Sequence, residues 1–467
     1  MSNLLAQPFN KLASLRSAFT RTTAQDSSRG FWAMADQGLV SLGNFVLNIV
    51  LARHFAQQHQ LSEYGEFWVF MELMIFLNGI QAALLIYPIS VRGAIADRRG
   101  LTQMIGHSLL LTLLCSPLLL LAQSLIAMAV RAPMTIGLWS AAALLFWQLQ
   151  ETTRRGLMAH LRFRAATIGD AVSYLGQTLL ILLLALNQTL TLQRAFEAMT
   201  LTSALAWVVQ SIQLRIRPSD FRPAPEFDRE CWQLGRWILY GNFSNLFSGL
   251  LFNWNFAYWA GSEVLGVYYG LINIVRLMNP LSFAVATLIT PSAARARKSG
   301  GMDSAKHTAL RYSLLGGLVA LPYLAAVILL PTFAVHLFYG SNSAYLRYAP
   351  LLPLCAISLA LIYIATAAGA FLNSVEHAKE AFWGQIIYAA GYLLLVMPMT
   401  AIHGIEGAIY AWVLVAAARA VANVHFSEKL GREDHVDRDS YDHAESGVDM
   451  PLGLHDRDSD TASRLAG

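Results

Sequence analysis

Among the ionisable residues that fall inside long apolar stretches of this 467-residue chain, Asp36, Glu72, Asp170 and Arg276 carry the most information. An ionised group is costly in hydrocarbon, so each is expected to face protein or water and to mark a path for a charged solute or a coupling ion. Arg276 stands about a dozen residues into its stretch and is the first candidate to bind an acidic cargo. Asp36 and Glu72 are the candidates to take up a coupling proton or Na⁺. Asp170 lies near the end of its stretch and is read as a structural partner for neighbouring arginines. A second constellation is amidic and aromatic: Asn242 and Asn245 share one helical face three residues apart, among Trp237, Tyr240 and Trp254. Amides supply hydrogen bonds to hydroxyls while ring faces stack on apolar sugar faces, so Asn242 and Asn245 are candidate glycan contacts. Trp259 and Tyr258 are read instead as anchors at a membrane interface.

A basic segment, QETTRRGLMAHLRFR, brings together Arg154, Arg155, Arg162 and Arg164. Guanidinium holds phosphate bidentately and stays charged at any relevant pH, so Arg154 and Arg155 are expected to capture a phosphate group at the inner mouth of a transport path. Much of this charge also serves to set topology.

These residues sit on elements defined by hydropathy. The chain is 55 % hydrophobic and 13 % charged, against about a quarter charged in a soluble domain. Twelve apolar runs of roughly membrane-spanning length follow one another between residues 31 and 424: 31–51, 67–87, 106–130, 136–150, 166–186, 196–214, 234–254, 264–287, 312–330, 346–371, 381–399 and 404–424. Lys and Arg cluster in alternate connections, at 92–99, 154–164, 215–236 and 295–311, while the other connections hold little beyond Arg53, Arg131, Arg194 and Arg347. This asymmetry predicts a multi-pass protein of the inner membrane with both termini in the cytoplasm. The near +10 charge of the membrane part suits anionic lipids.

The predicted organisation is a cytoplasmic tail (1–30), a six-helix lobe (31–214), a cytoplasmic linker (215–233), a second six-helix lobe (234–425) and an acidic tail (426–467). The first tail has Phe9, Leu12, Leu15 and Phe19 spaced for an amphipathic helix, with disorder as the alternative reading. The last tail carries eleven acidic against five basic residues and few large apolar groups, so disorder is expected there. Its His435, His443 and His455 are too far apart for a ligand cluster, and Cys115, Cys231 and Cys355 have no metal-binding spacing. No cofactor, metal site or nucleotide-binding loop is indicated, and a transporter is expected rather than an enzyme.

The two lobes echo each other. Glu72 and Asn78 lie seven and thirteen residues beyond Gly65, and Asn273 and Asn279 lie at the same distances beyond Gly266. Trp32 precedes Asn48 by sixteen residues, as Trp237 precedes Asn253. Because six is even, such repeats keep one membrane orientation and are related by an axis along the membrane normal, with a cavity between them. Asn273, the counterpart of Glu72, joins the candidate substrate contacts for that reason.

The EYGEFW and LGVYYG starts of equivalent helices, the LFYGSNSAYLRYAP segment, the LNSVEHAKEAF link and the GIEGAIYAW start of the last helix together resemble the bacterial polysaccharide flippases of the multidrug/oligosaccharidyl-lipid/polysaccharide exporter superfamily. The resemblance covers roughly residues 25–425. It implies an all-α, V-shaped exporter of about twelve transmembrane helices. It further implies movement of an undecaprenyl-pyrophosphate-linked oligosaccharide from inner to outer leaflet by alternating access, for extracellular polysaccharide or O-antigen synthesis, beside a polymerase and ligase in the same membrane. The alternative is a cation-coupled multidrug or small-solute exporter of the same superfamily, which would use Asp36 and Glu72.

Overall fold

The computed structural model describes the backbone of residues 6–445 and side chains within 31–430 apart from Ala33, Trp237, Gly241, Asn242, Ser244, Asn245, Leu246 and Ala378. Helices make up the described chain, and strands are absent among the described residues. The first half comprises α1 (Ala6–Gln57), α2 (Leu61–Gln81), α3 (Tyr87–Arg92), α4 (Arg98–Leu114), α5 (Ser116–Ala129), α6 (Met134–Ala159), α7 (Phe163–Asp170), α8 (Gly176–Leu186) and α9 (Leu192–Leu214). The second comprises α10 (Pro225–Ala260), α11 (Ser262–Arg276), α12 (Asn279–Leu329), α13 (Pro331–Tyr339), α14 (Leu352–Ser374), α15 (Ala378–Gly391) and α16 (Met397–Glu445).

Many of these helices are pieces of longer rods. One turn of π-helix joins α2 to α3, α7 to α8 and α15 to α16, while α4 and α5 meet at a 42° bend. Conversely, α12 is interrupted at Gly300 and Gly301, and α16 at Gly404, where positive φ at Gly301 and Gly404 turns the chain. If α11 is counted with the first part of α12 across Leu277 and Met278, both of helical φ/ψ, and the nine-residue α13 is left aside, the described residues form six rods in each half, in the order of the twelve apolar runs. The π-turns at Ala171–Leu175 and Tyr392–Val396 fall in the fifth and eleventh rods, equivalent positions of the two halves.

Among the described residues six helices are by themselves long and apolar enough to cross a membrane, or seven with the bent α4–α5 pair. Helix α6 is not among them because its polar residues, Gln148 to Arg154, are spent inside the bundle, where they are buried. The same residues end the fourth apolar run at 150, whereas the helix extends to Ala159. At the chain ends, α1 continues back from the first run to Ala6. Helix α16 continues to Glu445, beyond the point where disorder is expected. Opposite charges spaced i, i+4, as at Glu428 and Arg432, favour such a helical extension. Residues 446–467, with His455, lie outside the described residues, as do the side chains of the amphipathic face at Phe9 to Phe19 and those of His435 and His443.

The first half packs α6 on α9 and α1 on α7 and α8; the second packs α14 between α12 and α16. The halves meet chiefly through α2, which lies along α10 and α11. Near the end of the molecule remote from the arginine-rich connections, two glycines make this meeting possible. A Cβ on Gly65 would strike the Ser262 carbonyl, and one on Gly266 would strike the Leu61 carbonyl. Small residues of this kind let two membrane helices approach backbone to backbone. One turn further in, Trp68 and Tyr269 stack at 3.9 Å with their planes 4° apart. Each is three residues beyond its glycine, so the repeat-equivalent side chains lie on one another.

Candidate functional site

In the first half, charge is gathered around one guanidinium. Arg154 on α6 is buried, and its Nη2 donates to Asp36 Oδ2 of α1 at 2.6 Å. Its Nη1 is 3.1 Å from Glu151 Oε2 one turn earlier, and its Nε pairs with Asp170 of α7. Arg155 adds a 2.6 Å contact to Glu151. Asp36 is 2 % exposed, Asp170 0 % and Arg154 6 %. Amides extend the network: Gln210 of α9 donates to Asp170 Oδ1 at 3.2 Å and accepts from Thr153 at 2.8 Å. Five charged side chains from three helices are therefore locked together, three carboxylates against two guanidiniums. Such pairing is what makes buried charge tolerable.

This arrangement corrects one expectation. Arg154 is not an open capture point for phosphate, because its donors are already directed at carboxylates; Arg155 is about 41 % exposed but turned onto Glu151. Asp170 is the partner of a basic residue, as the sequence suggested. Asp36 and Glu72 do not share a site, since Asp36 belongs to this network and Glu72 lies on the α2 face towards α10 and α11, beside Gly249.

Arg276, at the end of α11, is held by rings. Its guanidinium carbon is 5.3 Å from the Trp68 ring centre and 5.2 Å from that of Tyr269, so it borders the stacked pair that joins the halves. Glu72 lies close enough to interact electrostatically with this guanidinium. Among the described residues no carboxylate approaches the Arg276 guanidinium within ion-pair distance. Asn273 is buried and donates to the Tyr64 hydroxyl at 2.5 Å, which makes it a tie between α11 and α2 rather than an open binding group. Asn242 and Asn245 are carried by α10, and their side chains lie outside the described residues.

A second guanidinium, unflagged by the sequence reading, completes the aromatic region. Arg419 on α16 lies 5.1 Å from the Tyr388 ring centre. Tyr388 accepts from Trp412 Nε1 at 3.1 Å and reaches Tyr392 at 4.9 Å between centroids; Tyr392 in turn edges Phe252, which contacts Tyr268. Rings thus run between the Arg419 and Arg276 regions. Arg419 was discoverable, since it stands fifteen residues into the last apolar run. Glu151 and Gln210 were harder to find, since only their partners reveal them.

The repeat asparagines behave alike. Asn48 donates to the Asn44 carbonyl at 2.8 Å and Asn253 to the Gly249 carbonyl at 3.1 Å, each one helical turn back. Asn48 also borders a 230 Å³ cavity in the first half with Trp147, Ser173 and Gln177. Of the thiols, Cys231 is buried at the start of α10, and burial pushes it up to about 12, so it has no thiolate character near neutrality.

No protein-family model matches the chain, and no curated protein matches it. Solved structures do. An inward-facing multidrug resistance MATE family transporter of the MOP superfamily superposes with a TM-score of 0.70 at 15 % identity, covering 84 % of this chain and 94 % of that one. An outward-facing one gives 0.60 at 15 % identity, covering 85 % and 93 %. A MOP superfamily transporter from Pyrococcus furiosus, described as having a binding pocket of reverse polarity that suggests a different function, gives 0.59 at 16 % identity, covering 85 % and 95 %. The chain therefore has the V-shaped, all-helical architecture of these membrane transporters. At such identities the likeness carries the fold and not the cargo.

Proposed function

We propose that this chain is a cation-coupled exporter that exposes a cleft between its two six-helix lobes to the two sides of the inner membrane in turn. The observation that carries this reading is the charge count of the buried network. Among the described residues the basic partners of Asp36, Glu151 and Asp170 are Arg154 and Arg155, so one carboxylate is left to be neutralised by a proton or a small cation. Filling and emptying that position would alter how α1, α6 and α7 are held together, which is a differential interaction able to bias two conformations. The names of the solved neighbours, multidrug resistance transporters, agree with such a role. The side on which the arginine-rich connections cluster supports an orientation with both termini in the cytoplasm.

A second reading is favoured by the aromatic region. Arg276 and Arg419 lie over ring faces, an arrangement that suits an acidic, ring-bearing cargo such as a pyrophosphate-linked oligosaccharide moved from inner to outer leaflet. The two readings separate in one experiment. Purified protein in liposomes is given ethidium, or a fluorescent undecaprenyl-pyrophosphate oligosaccharide, under an imposed proton or Na⁺ gradient, with Asp36→Asn as the comparison. Gradient-driven ethidium flux that the variant loses supports the coupled exporter. Oligosaccharide flipping indifferent to both gradients and retained by the variant replaces it with the flippase.

A further inference from the structure

The arginines of the connections do more than mark one side of the membrane. Five of them, Arg98 and Arg99 at the start of α4 together with Arg215, Arg217 and Arg222 of the segment joining the halves, line a single cavity of about 650 Å³. Arg98 and Arg215 also line an adjoining cavity of 280 Å³ with Arg162 and His160. The two carboxylates at the larger cavity are engaged elsewhere. Asp97 accepts the Gly100 N–H at 2.9 Å and so caps α4, while Asp220 accepts the Arg217 N–H at 2.8 Å. No ion pair is formed by any of the five guanidiniums among the described residues, and the cavity is left with five positive groups against two negative ones.

The walls that bring these groups together are fixed. Arg215 ends α9 with φ +59°, a left-handed conformation in which a non-glycine side chain is uncommon. The Asp220 backbone lies so close to Gly106 of α4 that no Cβ fits between them. His107, buried on α4, holds the far end of the segment: Nδ1 accepts the Ala224 N–H at 3.1 Å and Nε2–H donates to Asp228 Oδ1 at 2.6 Å. The topology rule requires only that basic residues lie near the membrane on one side. It does not require a capped helix start, a left-handed arginine and a pinned turn to gather five arginines around one space.

We propose that this cavity is a binding site for a bis-phosphate anion, supplied either by an anionic lipid headgroup of the adjacent leaflet or by a free diphosphate. The site is separate from the Arg154 network and from the aromatic region, and the proposal does not depend on what the protein exports. Its occupant would bridge α4 to the segment that joins the halves, since the guanidiniums come from both.

The test uses the full-length protein. Inorganic pyrophosphate is titrated in detergent by calorimetry, and native mass spectrometry follows cardiolipin retained after incubation with phosphatidylcholine vesicles containing cardiolipin. Three proteins are compared: the wild type, Arg98→Gln/Arg217→Gln, and Arg194→Gln/Arg347→Gln, which removes the same charge from the other connections. The expected result is binding of one probe that the first pair weakens roughly tenfold, about 1.4 kcal/mol, and the second pair leaves unchanged. An Arg99→Gln/Arg222→Gln protein should repeat the loss, which guards against a local folding defect in one pair. Cardiolipin retention displaced by pyrophosphate would identify a lipid headgroup as the source; pyrophosphate binding without lipid retention would identify a free diphosphate. Binding of neither probe, or equal loss in both double variants, overturns the proposal.

Discussion

The two halves of the molecule hold arginines within their spans in opposite ways. In the first, Arg154 is enclosed by three carboxylates from three helices. In the second, Arg276 and Arg419 are laid over tryptophan and tyrosine faces. A ring face attracts the flat side of a guanidinium with about 0.5–2 kcal/mol and leaves its edge donors available. Carboxylates instead consume the donors. The comparison teaches that an arginine inside a span has no role readable from its position alone; its partners decide whether it locks helices together or offers charge to a solute.

The largest effect that separates the halves is expected from Arg154→Met. Removing one partner leaves uncompensated buried carboxylates, at about 3–5 kcal/mol, and the protein should lose thermal stability and membrane abundance. Combining it with Asp36→Asn should restore part of the loss, and no recovery in the double variant would show that the two do not act as a pair. Arg276→Ala is expected to do the reverse, lowering transport by about tenfold or more, which corresponds to roughly 1.4 kcal/mol, at near-normal abundance. Loss of abundance instead would place Arg276 with Arg154 as a structural arginine. A smaller effect is expected from Trp68→Leu, which removes one face of the stack and about 0.5–1.5 kcal/mol of ring contact. Transport should fall several-fold, and Trp68→Phe should recover most of it; a variant indistinguishable from wild type would show that the stack positions nothing. The smallest effect is assigned to removal of residues 446–467, which should leave transport and abundance unchanged in a vesicle assay.

Much of the architecture is legible in the residues. Apolar run length and alternate basic connections yield twelve segments in the right order, because hydrocarbon thickness imposes a length on every helix. The Gly65 and Gly266 echo is also legible, since close approach of backbones leaves a glycine that nothing else replaces. The fourth segment is misjudged at its end because hydropathy counts Glu151 and Arg154 as water-facing, whereas they neutralise one another in the interior. Arg154 is misassigned for the same reason: its carboxylates at 36 and 170 are distant in sequence, and only the packing of α1, α6 and α7 joins them. Arg276 is recognised because it is alone in an apolar run, yet the rings that hold it come from two helices, one in each half. Sequence spacing reports which face a residue occupies and is silent about what another helix brings to it.

The paired glycines have a consequence for ancestry. Gly65 touches the helix of Gly266, and Gly266 touches the helix of Gly65, so each makes the contact that its counterpart makes in return. That reciprocity is the signature of an isologous contact, in which one surface patch meets itself across a two-fold axis. A six-helix protomer bearing a single such glycine would form both contacts at once on pairing with its own copy, and the stack made here by Trp68 and Tyr269 would be one aromatic residue meeting itself. Within a single chain the equivalent positions are free to differ, and one half carries Glu72 where the other carries Asn273.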